Sequence, residues 1–160
     1  MKLFLKRDLS ADNNAFTVYD ELGCVKYLVL SKQPGSKSKI NLSVCDSDGK
    51  PVARIRKVPI AGTNTFMLKA NKRRVTLVLL ITSKGMYCNF YGVNWHISGE
   101  LVTKNFSIMD VDNSLIMQHF HFADRCELEI NDEVNELFCL TTAICVNLIN
   151  TTDARALQTA

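Results

Sequence analysis

The chain has 160 residues, of which 47% are hydrophobic and 22% charged, and its net charge is +3. That is the make-up of one ordinary globular domain, long enough to bury a real core. The basic excess is too small to argue for nucleic acid, and no such partner is expected.

In chain order, residues 1–8 lack the long apolar run of a signal peptide, and residues 2–6 read as an opening strand. Residues 16–29 alternate, turn and alternate again, and residues 40–55 repeat the pattern. Both turns have the form Asp-x-x-Gly, at Asp20–Gly23 and Asp46–Gly49. Asp caps such a turn with its side chain, and Gly supplies the positive φ that closes a hairpin. Weaker copies follow. Residues 66–70 lead through 71–74 into 75–79. Residues 86–91 lead through 92–94 into 95–98. Residues 106–109 lead through 110–113 into 114–117. A last strand at 125–130 brings the count to twelve.

Alternation of period two with regular turns indicates a sandwich or barrel. The expected inward sets are Phe16 with Val18, Ile40 with Leu42 and Val44, Ala53 with Ile55, Phe66 with Leu68, Trp95 with Ile97, and Cys126 with Leu128 and Ile130. Arg54 with Arg56, and Glu127 with Glu129, then face outward. Twelve strands make a barrel too wide for its own side chains to fill. The uncharged run at 137–149 answers that need. A helix that is apolar nearly all round must be surrounded. The expected fold is therefore mainly β: a twelve-stranded antiparallel barrel over residues 1–152 enclosing a hydrophobic helix at about 133–150. Residues 153–160 form a polar tail. Leu137, Phe138, Leu140, Ile144, Val146 and Leu148 are its expected core-helix residues, and Asn131 or Asp132 its expected cap.

The competing reading of 137–149 is a membrane anchor. The run is shorter than the ~20 residues a span requires, and it contains Thr141, Thr142 and Asn147. A buried helix and no membrane span are expected. None of the six cysteines forms a C-x-x-C pair, which argues against a zinc ribbon. Several sit among apolar residues, where a free thiol behaves as a small hydrophobe. A reducing, cytoplasmic setting with free thiols is expected.

The motifs at 2–6, 16–23 and 46–49, with Trp95-x-Ile97-x-Gly99 and the terminal Glu-Leu-x-x-Leu helix, resemble the YxjI-type bacterial proteins. Those are related to the LURP-one-related proteins of plants, and more remotely to the tubby C-terminal domain and the phospholipid scramblases. The resemblance spans essentially the whole chain and implies a tubby C-terminal-like barrel around a central helix. Families of this fold bind phosphoinositide head groups or move lipids, and others are poorly characterised. The turn at 71–74, Asn-Lys-Arg-Arg, departs from the pattern. No residues match tubby's head-group site or the scramblase calcium segment.

Two constellations carry chemistry. The first is basic: Lys37, Lys39, Arg54, Arg56, Lys72, Arg73 and Arg74, with Lys57 and Lys69 nearby. If their hairpins are neighbours, they form a patch able to hold phosphate by charge-assisted hydrogen bonds. The competing reading is a solvated face. The second is His119-Phe120-His121, whose imidazoles point the same way about 7 Å apart along a strand. Glu127 or Asp124 would complete a metal site, although catalytic zinc needs three protein ligands. The competing reading is a partly exposed strand with two solvated histidines. No cysteine has an evident histidine partner, and no nucleophile elbow, P-loop or dinucleotide fingerprint is present. The reading that follows is a non-enzymatic binding or scaffold barrel without cofactor. It engages anionic lipid head groups or a protein partner through a basic face. The alternative is a metal- or small-molecule-binding barrel using His119 and His121.

Overall fold

The computed structural model describes residues 1–8, 14–32 and 40–149. Twelve strands follow in order: β1 (Lys2–Arg7), β2 (Asn14–Tyr19), β3 (Val25–Ser31), β4 (Asn41–Cys45), β5 (Pro51–Val58), β6 (Asn64–Ala70), β7 (Arg73–Thr82), β8 (Gly85–Tyr91), β9 (Trp95–Glu100), β10 (Asn105–Asp110), β11 (Leu115–His121) and β12 (Cys126–Ile130). A 3₁₀ turn, Glu133–Asn135, leads into α1 (Glu136–Leu148). The strands form one antiparallel sheet in the order β8-β7-β6-β5-β4-β3-β2-β1-β12-β11-β10-β9. The first and last strands pair, Leu3 opposite Leu128, and the sheet curls into a nearly closed barrel.

Alternation decides which side chains enter it. Phe16, Val18, Leu42, Val44, Ala53, Ile55, Phe66, Leu68, Cys126, Leu128 and Ile130 are buried, and Ile40, Trp95 and Ile97 are half-buried. The helix occupies the interior, and every residue from 138 to 147 is buried. Phe138, Leu140, Ile144 and Val146 lie within it, whereas Leu137 and Leu148 at its ends are only partly covered. Among the described residues no helix is long and apolar enough to cross a membrane. The helix start has no side-chain cap. Asp132 instead accepts a hydrogen bond from the Asn135 amide at 2.7 Å. Glu136 anchors this end through the Lys26 ammonium at 2.6 Å and the Tyr27 hydroxyl, which donates to it at 3.2 Å. Burial, and then the Glu136 carboxylate, push the Tyr27 phenol well up. The expected helix end at 150 and the tail 153–160 lie outside the described residues.

The two Asp-x-x-Gly turns are built alike. Asp20 Oδ1 accepts from the amides of Leu22 and Cys24, and Asp46 Oδ1 from those of Asp48 and Lys50. Gly23 and Gly49 have φ of 79° and 78°. The departing turn after β6 is a two-residue loop, since Ala70 pairs with Arg73. Asn71 and Lys72 both have positive φ, 51° and 60°, as a type I′ hairpin requires. Asn tolerates that conformation, and Lys carries the steric cost of a Cβ. Lys72→Gly is therefore expected to raise stability by about 0.5–1 kcal/mol after allowing for glycine's chain entropy. An upward shift in the urea midpoint at unchanged slope is the check.

One expected hairpin is not a hairpin. The strands β8 and β9 are neighbours in the chain, yet they are the two ends of the sheet. The chain crosses this seam at Gly92, whose φ is 100° and whose Cβ would stand 2.6 Å from the Arg74 carbonyl oxygen. The rings of Phe90 and Trp95 pack edge to face across the seam, 5.7 Å between centroids. Two sheet edges are thus covered by side chains rather than joined by a ladder, so closure is less complete than the strand count implies.

Candidate functional site

The basic residues sort into three groups. Arg54 on β5 pairs with Lys69 on β6, which pairs with Arg74 on β7. Three cations thus stand side by side on the outer face. Arg56 and Met67 form the next rung of the same face. The rungs border a hollow of about 120 Å³ lined by Arg54, Arg56, Met67, Lys69 and Arg74. Arg54 Nε donates to Asn41 Oδ1 at 3.2 Å, and an Arg56 guanidinium nitrogen lies 3.6 Å from Met67 sulfur. None of the four cations has an acidic partner among the described residues. Like charges opposite each other on a sheet destabilise it, so the row carries a cost that a bound anion would relieve.

Arg73 belongs elsewhere. Its guanidinium lies over the Phe138 ring at 5.6 Å and donates to Asn135 Oδ1 at 3.4 Å. It closes the barrel over the start of α1. Lys72 sits on the exposed hairpin tip. Lys37 and Lys39 lie outside the described residues.

The two histidines differ: His121 is exposed at the strand's end, as a solvated face would have it, but His119 is not. His119 is buried, with 1% of its surface exposed. It stacks on Phe106 at 4.7 Å. Its Nδ1–H donates to the Lys104 carbonyl at 2.6 Å, which leaves Nε2 to accept from the Asn147 amide at 3.0 Å. That amide also donates to the Ala143 carbonyl at 2.8 Å. Asn147 Oδ1 accepts from the Cys126 thiol at 3.2 Å, and His121 Nδ1 approaches Cys126 sulfur at 3.4 Å. A single chain of polar groups therefore links the rim to the helix through His121, Cys126, Asn147 and His119. Glu127 lies on the opposite face of its strand and pairs with Arg125 at 3.0 Å, and Asp124 pairs with the same guanidinium. Neither joins the histidines. Among the described residues no group of three His, Cys, Asp or Glu is placed to hold a metal ion.

Cys126 does have a histidine neighbour, which its sequence position concealed. The pair is not arranged for nucleophilic attack. The thiol donates to Asn147, and burial pushes its pKa up, whereas reactive cysteines are held as thiolates. All six cysteines are free. Burial raises the pKa of Cys88 and Cys139 to about 12, and Cys145 rises as well. These thiols are packing groups. The sequence signal for the polar chain was Asn147, an amide inside an apolar helix that needs buried partners.

Comparison with known proteins agrees with this architecture. The family model described as LURP-one-related matches residues 1–147. A crystal structure of a protein from Arabidopsis thaliana superposes with a TM-score of 0.55 at 14% identity, covering 92% of this chain and 89% of that one. At that identity the likeness shows the fold alone. No curated protein sequence matches the chain.

Proposed function

The chain belongs to the LURP-one-related family, and from that premise we propose that it is a non-enzymatic binding barrel whose outer basic row engages anionic phospholipid head groups. The supporting observation is the rung Arg54–Lys69–Arg74, three cations in register over a hollow, none with an acidic partner among the described residues. An arginine fork and a lysine point charge suit phosphate oxygens, and a small hollow suits a head group rather than a buried metabolite. The helix fills the interior, so the ligand binds on the outside. In this reading the protein is cytoplasmic and peripheral to the membrane, a setting in which free thiols persist.

Co-sedimentation with phosphatidylcholine vesicles, with and without a phosphatidylinositol phosphate, tests it. Arg54→Glu combined with Arg74→Glu is expected to weaken binding to the anionic vesicles by roughly tenfold or more. Added salt should weaken the wild type in the same direction. Both side chains are exposed, so the melting transition should stay close to that of the wild type. Unchanged sedimentation of the double variant would remove the row from consideration.

A further inference from the structure

A second hollow, of about 260 Å³, lies at the far end of the barrel. Arg73, next in the chain to Arg74 of the outer row, meets the start of α1 at Phe138. This hollow instead surrounds the last turn of α1 at Asn147. Cys126 and Asn147, the latter 9% exposed, belong to its inner wall, and Phe122, 43% exposed, belongs to its lip. Among the described residues, Arg7, Lys104 and Arg125 bring three cations to it, against one acid, Asp124.

Arg125 is accounted for by Asp124 at 3.2 Å and Glu127 at 3.0 Å. Arg7 and Lys104 are not: neither forms an ion pair among the described residues. Arg7 lies 5.8 Å from the centre of the Phe16 ring, a contact that adds attraction but no negative charge. Lys104 is fixed in the turn between β9 and β10 at a φ of 61°. Burial lowers its pKa, the nearby Cys126 thiol acts the other way, and Arg7 lowers it further. The carbonyl end of α1 supplies about half a negative charge, which is far short of two cations. A half-buried ammonium beside a guanidinium is costly to leave without an anion.

We propose that this mouth is a binding site for a small phosphate monoester, its phosphate held between Arg7 and Lys104 and its organic group resting on Phe122. A phosphate monoester carries a charge of about −1.5 to −2 near neutral pH, which matches two cations where a carboxylate matches one. The hollow is smaller than the roughly 300–1,000 Å³ of most organic ligand sites, which limits the organic group to a few atoms or one ring. The phosphate could be soluble or could belong to a lipid.

Isothermal titration of the full chain with phenyl phosphate, and separately with benzoate, tests the site. Saturable binding of phenyl phosphate, tighter than that of benzoate, is expected. Arg7→Gln and Lys104→Gln should each weaken it by roughly tenfold or more, and Arg54→Gln should leave it unchanged. If Arg7→Gln lowers the melting temperature, Lys104→Gln, which removes a half-buried charge and keeps a side chain of similar length, carries the test. Vesicles containing phosphatidic acid separate the two sources. Recruitment lost in Lys104→Gln assigns the phosphate to lipid, and recruitment retained while phenyl phosphate binding is lost assigns it to a soluble ligand. Phenyl phosphate binding that is absent, no tighter than benzoate, or the same in Lys104→Gln as in the wild type would overturn the proposal.

Discussion

Leu140→Asp is expected to abolish folding of the whole barrel. Leu140 has no exposed surface and sits midway along a helix that is buried from 138 to 147. Losing its apolar contacts costs about 2–5 kcal/mol, by comparison with leucine-to-alanine changes in other cores. A carboxylate there has no partner, and an uncompensated buried charge costs several kcal/mol more. Together these approach or exceed the roughly 5–15 kcal/mol by which domains are stable. The helix contacts β5, β6, β11 and β12, so expelling it leaves twelve strands around a void they cannot fill. Circular dichroism should show no cooperative melt, and limited proteolysis should leave no resistant core. Val134→Asp is the control. Val134 is 80% exposed in the turn before the helix, and its change should stay within about 0.5 kcal/mol. A soluble, protease-resistant Leu140→Asp protein would show that the helix is not the centre of the fold.

That expectation rests on features legible in the sequence. Alternation gave the inward faces because a strand repeats every two residues and a slip of one reverses every side chain. The helix could be placed because an uncharged run shorter than a bilayer span must be covered by protein. The seam was not legible. Gly92-Val93-Asn94 between two alternating segments has the form of a hairpin loop. Whether two chain neighbours share a ladder depends on where the sheet begins and ends, which local sequence does not encode. The burial of His119 was hidden for a related reason. Met117, His119 and His121 share one strand face, and two polar imidazoles on it resemble a wet edge. His119 is nevertheless buried, because Asn147, far along the chain, brings an amide to meet it, whereas His121 stays exposed at the rim. Among the basic residues, pairing register separated Arg54 and Arg74 from Arg73. The alternation of β7 turns Arg74 outward and Arg73 over the helix.

His119 also makes acid the expected weakness of the fold. Burial, the largest influence, holds its pKa down to about 4 from 6.5. The Lys104 carbonyl opposes this, and the charges of His121 and Lys104 reinforce it. Protonation would place a second N–H on Nε2, facing the amide that now donates to it. Asn147 could turn its oxygen toward the ring only by giving up its bonds to Cys126 and Ala143. The sign follows from which state takes the proton. Above pH 6.5 the imidazole is neutral in both the folded and unfolded chain and adds no pH dependence. As pH falls below 6.5, the unfolded chain binds a proton that the folded chain refuses, and stability declines. The decline ends near pH 4, where the folded state also protonates. A shift of this size corresponds to about 3 kcal/mol lost across the window. Urea midpoints measured at intervals from pH 7 to about 4 should trace that fall in the wild type. In His119→Gln the baseline stability should be lower, because the ring's packing on Phe106 is lost, but the fall should be largely absent. Equal slopes in the two proteins would mean that another group sets the acid limit. The result matters beyond stability, because the same chain of bonds fixes Asn147 and Cys126 in the wall of the mouth lined by Arg7 and Lys104.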